Sequence, residues 1–298
     1  MNVCTLCPRN CTVDRGNGEK GICGQSAELK VARAALHFWE EPCISGTAGS
    51  GTVFFSGCSL HCVFCQNEPI ANGTVGKMIT VERLAEIFLE LEQQGAHNIN
   101  LVTPGHFIPQ IKEALLLAKE KGLALPIVYN TSSYESVESL KYLDGLVDIY
   151  LPDFKYMSSE LSAKYSHAPD YSVRAKAAIA EMVRQTGMPV FDEKGEEGLI
   201  KRGTIVRHLT LPGCMEDSKE ILNYLHTTYG DQIYISIMNQ FTPLENVVAF
   251  PELNRKITEE EYDELIDYAI ELGIEQGFIQ EGETAEESFI PDFDCKGC

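Results

Sequence analysis

The chain has 298 residues, 44% of them hydrophobic and 23% charged, which suits one large buried core with little left over. No apolar run reaches the ~20 residues that span a bilayer, and the opening MNVCTLCPRNC lacks the basic start and apolar stretch of a secretory leader, so a cytosolic protein is expected. A net charge of −20 repels a phosphate backbone and an anionic membrane surface, which disfavours nucleic acid and membranes as partners.

Eleven cysteines is the unusual count. Disulfides are rare in a reducing compartment, so clustered cysteines there point to metal ligation or catalysis. Residues 1–50 form a cysteine- and glycine-rich segment with little periodicity, read as a small metal-stapled module and linker. Within it Cys4, Cys7, Cys11 and Cys23 are spaced C-x2-C-x3-C-x11-C among Gly16, Gly18, Gly21 and Gly24. Four thiolates on tight turns suit zinc or an auxiliary [4Fe–4S] cluster, and spacing does not choose between them. Cys43 reads as a structural or linker residue.

From Gly51 the pattern changes. Short apolar runs at 52–55, 99–103, 127–130, 147–151, 204–211 and 234–238 read as buried parallel strands. Helical spacing falls between them, at 80–94, from 108 to Gly122, and at 136–143, 172–185 and 218–229. A capping box, Thr258 to Glu261, opens a last helix that runs to about Leu272. Strand–helix alternation over six units predicts an α/β fold with a parallel sheet and right-handed crossovers, either open or rolled into a barrel. The polar stretch 195–203 reads as an exposed loop.

The first predicted strand ends near Gly57, and C-S-L-H-C-V-F-C-Q-N follows, placing Cys58, Cys62 and Cys65 at C-x3-C-x2-C spacing. Catalytic residues of α/β barrels sit at such carboxyl strand ends. Three thiolates leave one iron of a [4Fe–4S] cluster open to an exchangeable small molecule. A zinc site completed by a distant ligand is the other reading, and His61 lies inside the loop.

With Phe64 before the third cysteine, this segment resembles the radical SAM superfamily. The resemblance implies a partial (β/α)6 TIM-like barrel over residues 51–283, with the small metal-stapled segment before it and a tail, 284–298, after it. It also implies that S-adenosylmethionine (SAM) chelates the open iron of a [4Fe–4S] cluster held by Cys58, Cys62 and Cys65. An electron from a carrier such as flavodoxin or ferredoxin then cleaves the sulfonium, and the 5′-deoxyadenosyl radical abstracts a hydrogen.

Further segments resemble the activating enzymes of glycyl radical enzymes. D-I-Y-L-P-D-F-K at 148–155 carries their D-x-K motif as Asp153 and Lys155, which in that family help hold SAM. V-R-H-L-T-L-P-G at 206–213 is similar to their V-R-x4-P-G, making Arg207 a contact for the SAM carboxylate or the substrate, while His208 alternates to the other side of the strand. At 238–243 (M-N-Q-F-T-P) Gln240 stands where activases often carry a SAM-facing histidine. At 103–106 (T-P-G-H) the superfamily's G-G-E glutamate is missing, which leaves Thr103, the Gly105 backbone or His106 for the SAM amino group. Asn130, ending the third strand, is a further candidate.

The nearest resemblance is to uncharacterised homologues of pyruvate formate-lyase activating enzyme that share the segment seen here at 4–15. It implies hydrogen abstraction, with activation of a glycyl radical enzyme first. Modification of another protein, a peptide or a small molecule comes second, and RNA third. The eight-cysteine ferredoxin-like insertion of many activases is absent between Cys65 and the second strand. A non-catalytic iron–sulfur carrier is the reading from a different class, and Asp153, Lys155 and Arg207 count against it. The terminal C-x2-C, Cys295 and Cys298, is either a loose tail with two thiols or a flap over the barrel mouth joined by Cys214.

Overall fold

The computed structural model describes residues 3–193, 198–280 and 291–298. The chain runs β1 (Lys30–His37), α1 (Pro42–Ser45), β2 (Ser50–Phe55), α2 (Glu68–Ala71), β3 (Lys77–Met78), α3 (Val81–Gln93), β4 (Ile99–Val102) and α4 (Ile108–Glu120). It continues with β5 (Ile127–Thr131), α5 (Val137–Lys141), β6 (Ile149–Pro152), α6 (Ser159–Ser166), α7 (Tyr171–Thr186), β7 (Val190–Phe191) and β8 (Ile200–Leu209). Then come α8 (Met215–Tyr229), β9 (Tyr234–Met238), α9 (Glu259–Leu272) and β10 (Gly277–Ile279).

The six expected strands are β2, β4, β5, β6, β8 and β9, adjacent in that order and all parallel. The sheet is unclosed, a partial barrel. The sheet is extended on both sides in ways that were not expected. β10 adds a parallel strand beside β9, and β1, from the segment read as linker, pairs antiparallel with β2. The loop expected at 195–203 falls in part outside the described residues, and from Ile200 the chain is already strand.

Alternation along the strands decides which side chains meet. Ile99 and Leu101, Ile127 and Tyr129, and Tyr150 face outward, against Leu84, Phe88, Ile111 and Leu115 of α3 and α4. Those helices start where their residues allow: the Thr80 side chain accepts from Arg83 N, and Thr258 and Glu261 form the expected capping box before α9. The second half of the barrel packs Val206, Ile235 and Ile237 on Ile179, Leu222, Leu225 and Leu265 in the same way.

The inward faces are covered differently. Val128, Ile149, Leu151 and Ile205 point into the barrel and pack on Cys43 and Ile44 of α1. The short helix thus plugs the barrel interior with apolar side chains. Cys43 is one of them, buried and structural.

His208 lies on the outward face of β8, 2% exposed, its Nδ1 donating to Phe154 O while Nε2 stands 2.8 Å from Ser218 Oγ. Burial lowers its pKa from 6.5 to about 4. A depressed imidazole stabilises the fold above pH 6.5, and that contribution disappears as pH falls from 6.5 through 4, because the unfolded chain takes up the proton first. The expected size is about 3 kcal/mol. Between pH 7.5 and 4.5 the wild-type protein should lose about that much more stability than His208→Gln in denaturant titrations, and equal losses would refute the buried neutral imidazole.

Candidate active site

A cavity of about 440 Å³ opens at the carboxyl ends of the parallel strands. Cys58, Cys62 and Cys65, on the loop leaving β2, line it. Asp153 and Lys155 after β6, Arg207 of β8, and Asn130 of β5 line it as well. Inward alternation on each strand aims these side chains at the same space, since period two puts Arg207 inside and its neighbours Val206 and His208 outside.

The polar lining is one connected network. Arg207 donates from Nε to Asp153 (2.8 Å), from Nη1 to Glu40 (2.9 Å) and from Nη2 to Asn130 Oδ1 (2.7 Å). Lys155 Nζ reaches the other Asp153 oxygen at 2.7 Å. Glu40 also accepts from the amides of Asn100 and Asn130. Burial would raise Asp153, but the Arg207 guanidinium and Lys155 ammonium outweigh it and hold the carboxyl below its usual value. Burial likewise disfavours charge on Lys155, and Asp153 beside it reverses the sign, so the ammonium is held above its usual value.

Thr103, Phe64 and Gln240 also line the cavity. Thr103 has φ of +56°, which is strained for a β-branched residue and typical of functional positions. Gln66, next to the third cysteine, donates to Gln240 O at 2.8 Å and ties the cysteine loop to the exit of β9. Two candidates are not brought to the cavity. His106 is 4% exposed and turned away, its Nε2 donating to Ser56 O, and burial lowers its pKa to about 4. Gly105 packs against the Glu135 carboxylate.

Glu40, Glu41 and Trp39 line the cavity and were missed, because they lie in the segment that read as a linker. The β1–β2 pairing and the α1 plug carry them there. The doublet E-E before Pro42 had no periodicity or motif to mark it. Glu41 keeps one buried carboxyl oxygen without a hydrogen-bond partner among the described residues, and burial raises its pKa.

The four N-terminal cysteines form a second group. Cys7 is within electrostatic reach of Cys11 and Cys23, and Cys23 of Cys11 and Cys4. The segment folds through Cys4 N to Val13 O (2.9 Å) and a turn from Asn10 N to Cys7 O (3.1 Å). Arg9, between Cys7 and Cys11, donates to Ser59 O, Leu60 O, Ser166 O and His167 O and lies 5.1 Å over the Tyr134 ring. One guanidinium thus joins the N-terminal module to the cavity's cysteine loop. Arg9→Ala is expected to cost about 2–3 kcal/mol in thermal denaturation, since charged donors to carbonyls are worth about 1.5–3 kcal/mol and several are lost together. A cost under ~0.5 kcal/mol would show that the clamp does not hold.

The described tail touches the barrel mouth at Pro291, which lines the cavity, while its two cysteines lie away from that lining. Cys295 N donates to Ala32 O and Ala34 N to Lys296 O, so the tail lies along β1, with Phe293 edge-on to Phe54. Cys214 sits between β8 and α8, within electrostatic reach of Asp217, Glu252 and Lys164, and the two are not brought together.

The sequence model of the radical SAM superfamily matches residues 52–225. The chain belongs to that superfamily. It is 27% identical over 277 residues to the uncharacterized protein MJ0674 of Methanocaldococcus jannaschii, a match that covers 89% of this chain and 74% of that one. Among solved structures it resembles Streptococcus suis SuiB bound to the precursor peptide SuiA, with a TM-score of 0.51, 14% identity and coverage of 76% of this chain and 46% of that one. SuiB bound to S-adenosylmethionine gives 0.50 at 12% identity, covering 76% and 48%. The chain spans about half the length of SuiB, and the likeness is one of fold.

Superfamily membership implies a [4Fe–4S] cluster and SAM, and the residues fit both. The donor set is right: three thiols lining one cavity, one fewer than a closed cluster takes. Burial raises the Cys62 and Cys65 thiols, so iron rather than the surroundings must favour their thiolates, although Lys155 already pulls Cys62 down. Ser166 Oγ lies 3.1 Å from Cys62 Sγ, and a hydroxyl donating to a ligand sulfur is one of the contacts that tune iron–sulfur centres. The cavity has the size of a small-molecule site, and its fixed charges of both signs suit the ammonium and carboxylate of a methionine moiety.

Proposed function

We propose that the chain cleaves SAM reductively and uses the resulting radical to abstract hydrogen from a substrate. The observation that carries this reading is that Cys58, Cys62 and Cys65 line one cavity together with Asp153, Lys155 and Arg207, with Lys155 close to Cys62. When bound, the cluster supplies the electron that splits the sulfonium and releases the 5′-deoxyadenosyl radical. The chain's own residues hold and shield it. Lys155 and Asp153 fix charge beside Cys62, Thr103 and Asn130 offer polar contacts at strand ends, and Phe64 closes the wall against Tyr156 and Phe241.

For the substrate, the D-x-K and V-R-x4-P-G segments favour activation of a glycyl radical enzyme, with a flavodoxin- or ferredoxin-type reductant and an oxidoreductase role in the cytoplasm. Modification of another protein or peptide is the second reading, favoured by the shared fold with SuiB and by Trp39, 63% exposed on the cavity lining. The four N-terminal thiols belong to the proposal as a second metal site. Anaerobic reconstitution with iron and sulfide, followed by SAM and dithionite, tests the core of it. 5′-Deoxyadenosine and methionine are expected in equal amounts. No product, with a cluster spectrum that SAM leaves unchanged, would overturn the enzyme and leave an iron–sulfur carrier.

A further inference from the structure

The N-terminal cysteines are gathered, yet they are not collapsed onto one point. A tetrathiolate zinc holds its sulfurs about 3.8 Å apart, because each Zn–S bond is ~2.3 Å and the angles are tetrahedral. Among the described residues, no three Cys, His, Asp or Glu side chains stand close enough to hold a single metal ion. That is equally true of Cys58, Cys62 and Cys65, the set that superfamily membership assigns to a cubane. In a cubane each thiolate binds its own corner iron, so the sulfurs stay apart around a larger body.

The surroundings of the four thiols suit such a body. Ile22 N donates to Cys11 Sγ at 3.3 Å, and the buried Arg15 guanidinium lies 3.9 Å from Cys4 Sγ. Amide donors and a nearby cation stabilise the negative charge of a thiolate-bound cluster. Gly21 leaves space between Cys11 and Cys23, where a Cβ would stand 3.3 Å and 3.7 Å from the two sulfurs.

The module also touches the first cysteine loop beside its ligands. Gly57, adjacent to Cys58, has φ of +94°, and a Cβ on it would overlap the Cys23 carbonyl oxygen. His61 Nε2 donates to Ile22 O at 2.8 Å. One van der Waals contact and a few backbone bonds therefore connect a ligand of one set to a ligand of the other.

We infer that Cys4, Cys7, Cys11 and Cys23 bind a second [4Fe–4S] cluster, seated against the Cys58–Cys65 loop at a separation suited to one-electron exchange. Such exchange oxidises one centre as the other is reduced, moves no atom or proton, and takes its electron from an external flavin or iron–sulfur carrier. The inference rests on the proposed cluster at Cys58, Cys62 and Cys65 only for the exchange. The second cluster stands on its own residues.

The test uses the full chain, reconstituted anaerobically, in three forms: wild type, the triple variant Cys58→Ala/Cys62→Ala/Cys65→Ala, and the double variant Cys7→Ser/Cys23→Ser. Iron, sulfide and zinc are measured on each, with Mössbauer and electron paramagnetic resonance spectra. The triple variant, whose N-terminal cysteines are untouched, should keep roughly half of the wild-type iron with a [4Fe–4S] spectrum that SAM does not alter. The double variant should keep the other half, with a spectrum that SAM does alter. In the reduced wild type, magnetic coupling absent from both variants is expected. One zinc and no iron in the triple variant would overturn the second cluster, as would loss of all its iron with circular dichroism unchanged. An uncoupled wild-type spectrum with full iron would overturn the exchange. Failure of the proposed SAM site shows separately, as a wild-type spectrum indifferent to SAM.

Discussion

Replacing Cys62 with alanine is expected to reduce 5′-deoxyadenosine formation to background while the protein stays folded. Cys62 is partly buried, with Ser166 against its sulfur, and no other cysteine among the described residues lining the cavity is available to take its place beside Cys58 and Cys65. With two thiolates a [4Fe–4S] centre loses a corner ligand and its fixed position. Ser166→Ala provides a graded companion. It removes the 3.1 Å contact to Cys62 Sγ and the 2.8 Å contact to Tyr156, and should lower activity about 10–100-fold, the usual cost of losing a hydrogen bond to a metal ligand. Full turnover by Cys62→Ala would mean that the chemistry is based elsewhere.

Arg207→Met is expected to destabilise the fold strongly. The guanidinium is shared by Asp153, Glu40 and Asn130, and the Arg207, Asp153 and Glu40 side chains are only 13%, 15% and 9% exposed. Asp153 retains Lys155 in the variant, whereas Glu40 is left with neutral amides alone. Removing one member of a buried pair typically costs about 3–5 kcal/mol, because the remaining charge is desolvated without compensation. For a chain of this size that corresponds to a fall in Tm of about 5–8 °C. Adding Glu40→Gln to Arg207→Met should recover part of the loss, since it removes the stranded charge. A single-variant cost below ~1 kcal/mol, or no recovery in the double variant, would show that the network does not bear on stability. Arg207→Lys keeps the charge without the three-way fork and should fall between the two.

That network shows where sequence reasoning reached its limit. Asp153, Lys155 and Arg207 were legible because D-x-K directly follows the apolar run of β6, V-R-x4-P-G overlaps that of β8, and both are contiguous segments. Glu40 was not legible. It enters the site only because β1 pairs antiparallel with β2 and α1 fills the barrel interior, both long-range events with weak local patterns. His106 shows the reverse case. Its strand-end position suggested the cavity, but the 3-10 turn at Gly105–Phe107 directs the ring towards Ser56 instead, and short turns carry no periodicity from which direction can be read.

The sequence by itself determined the three-cysteine loop, the six parallel strands, the principal helices and their caps, because ligand spacing, periodicity and capping are properties of neighbouring residues. The tertiary structure decided which side chains share the cavity, since that depends on register between strands far apart in the chain. It also decided that the four N-terminal cysteines belong beside the first cysteine loop. The joint is made by Arg9, His61 and Gly57 against backbone carbonyls, and a carbonyl acceptor leaves no mark in the sequence.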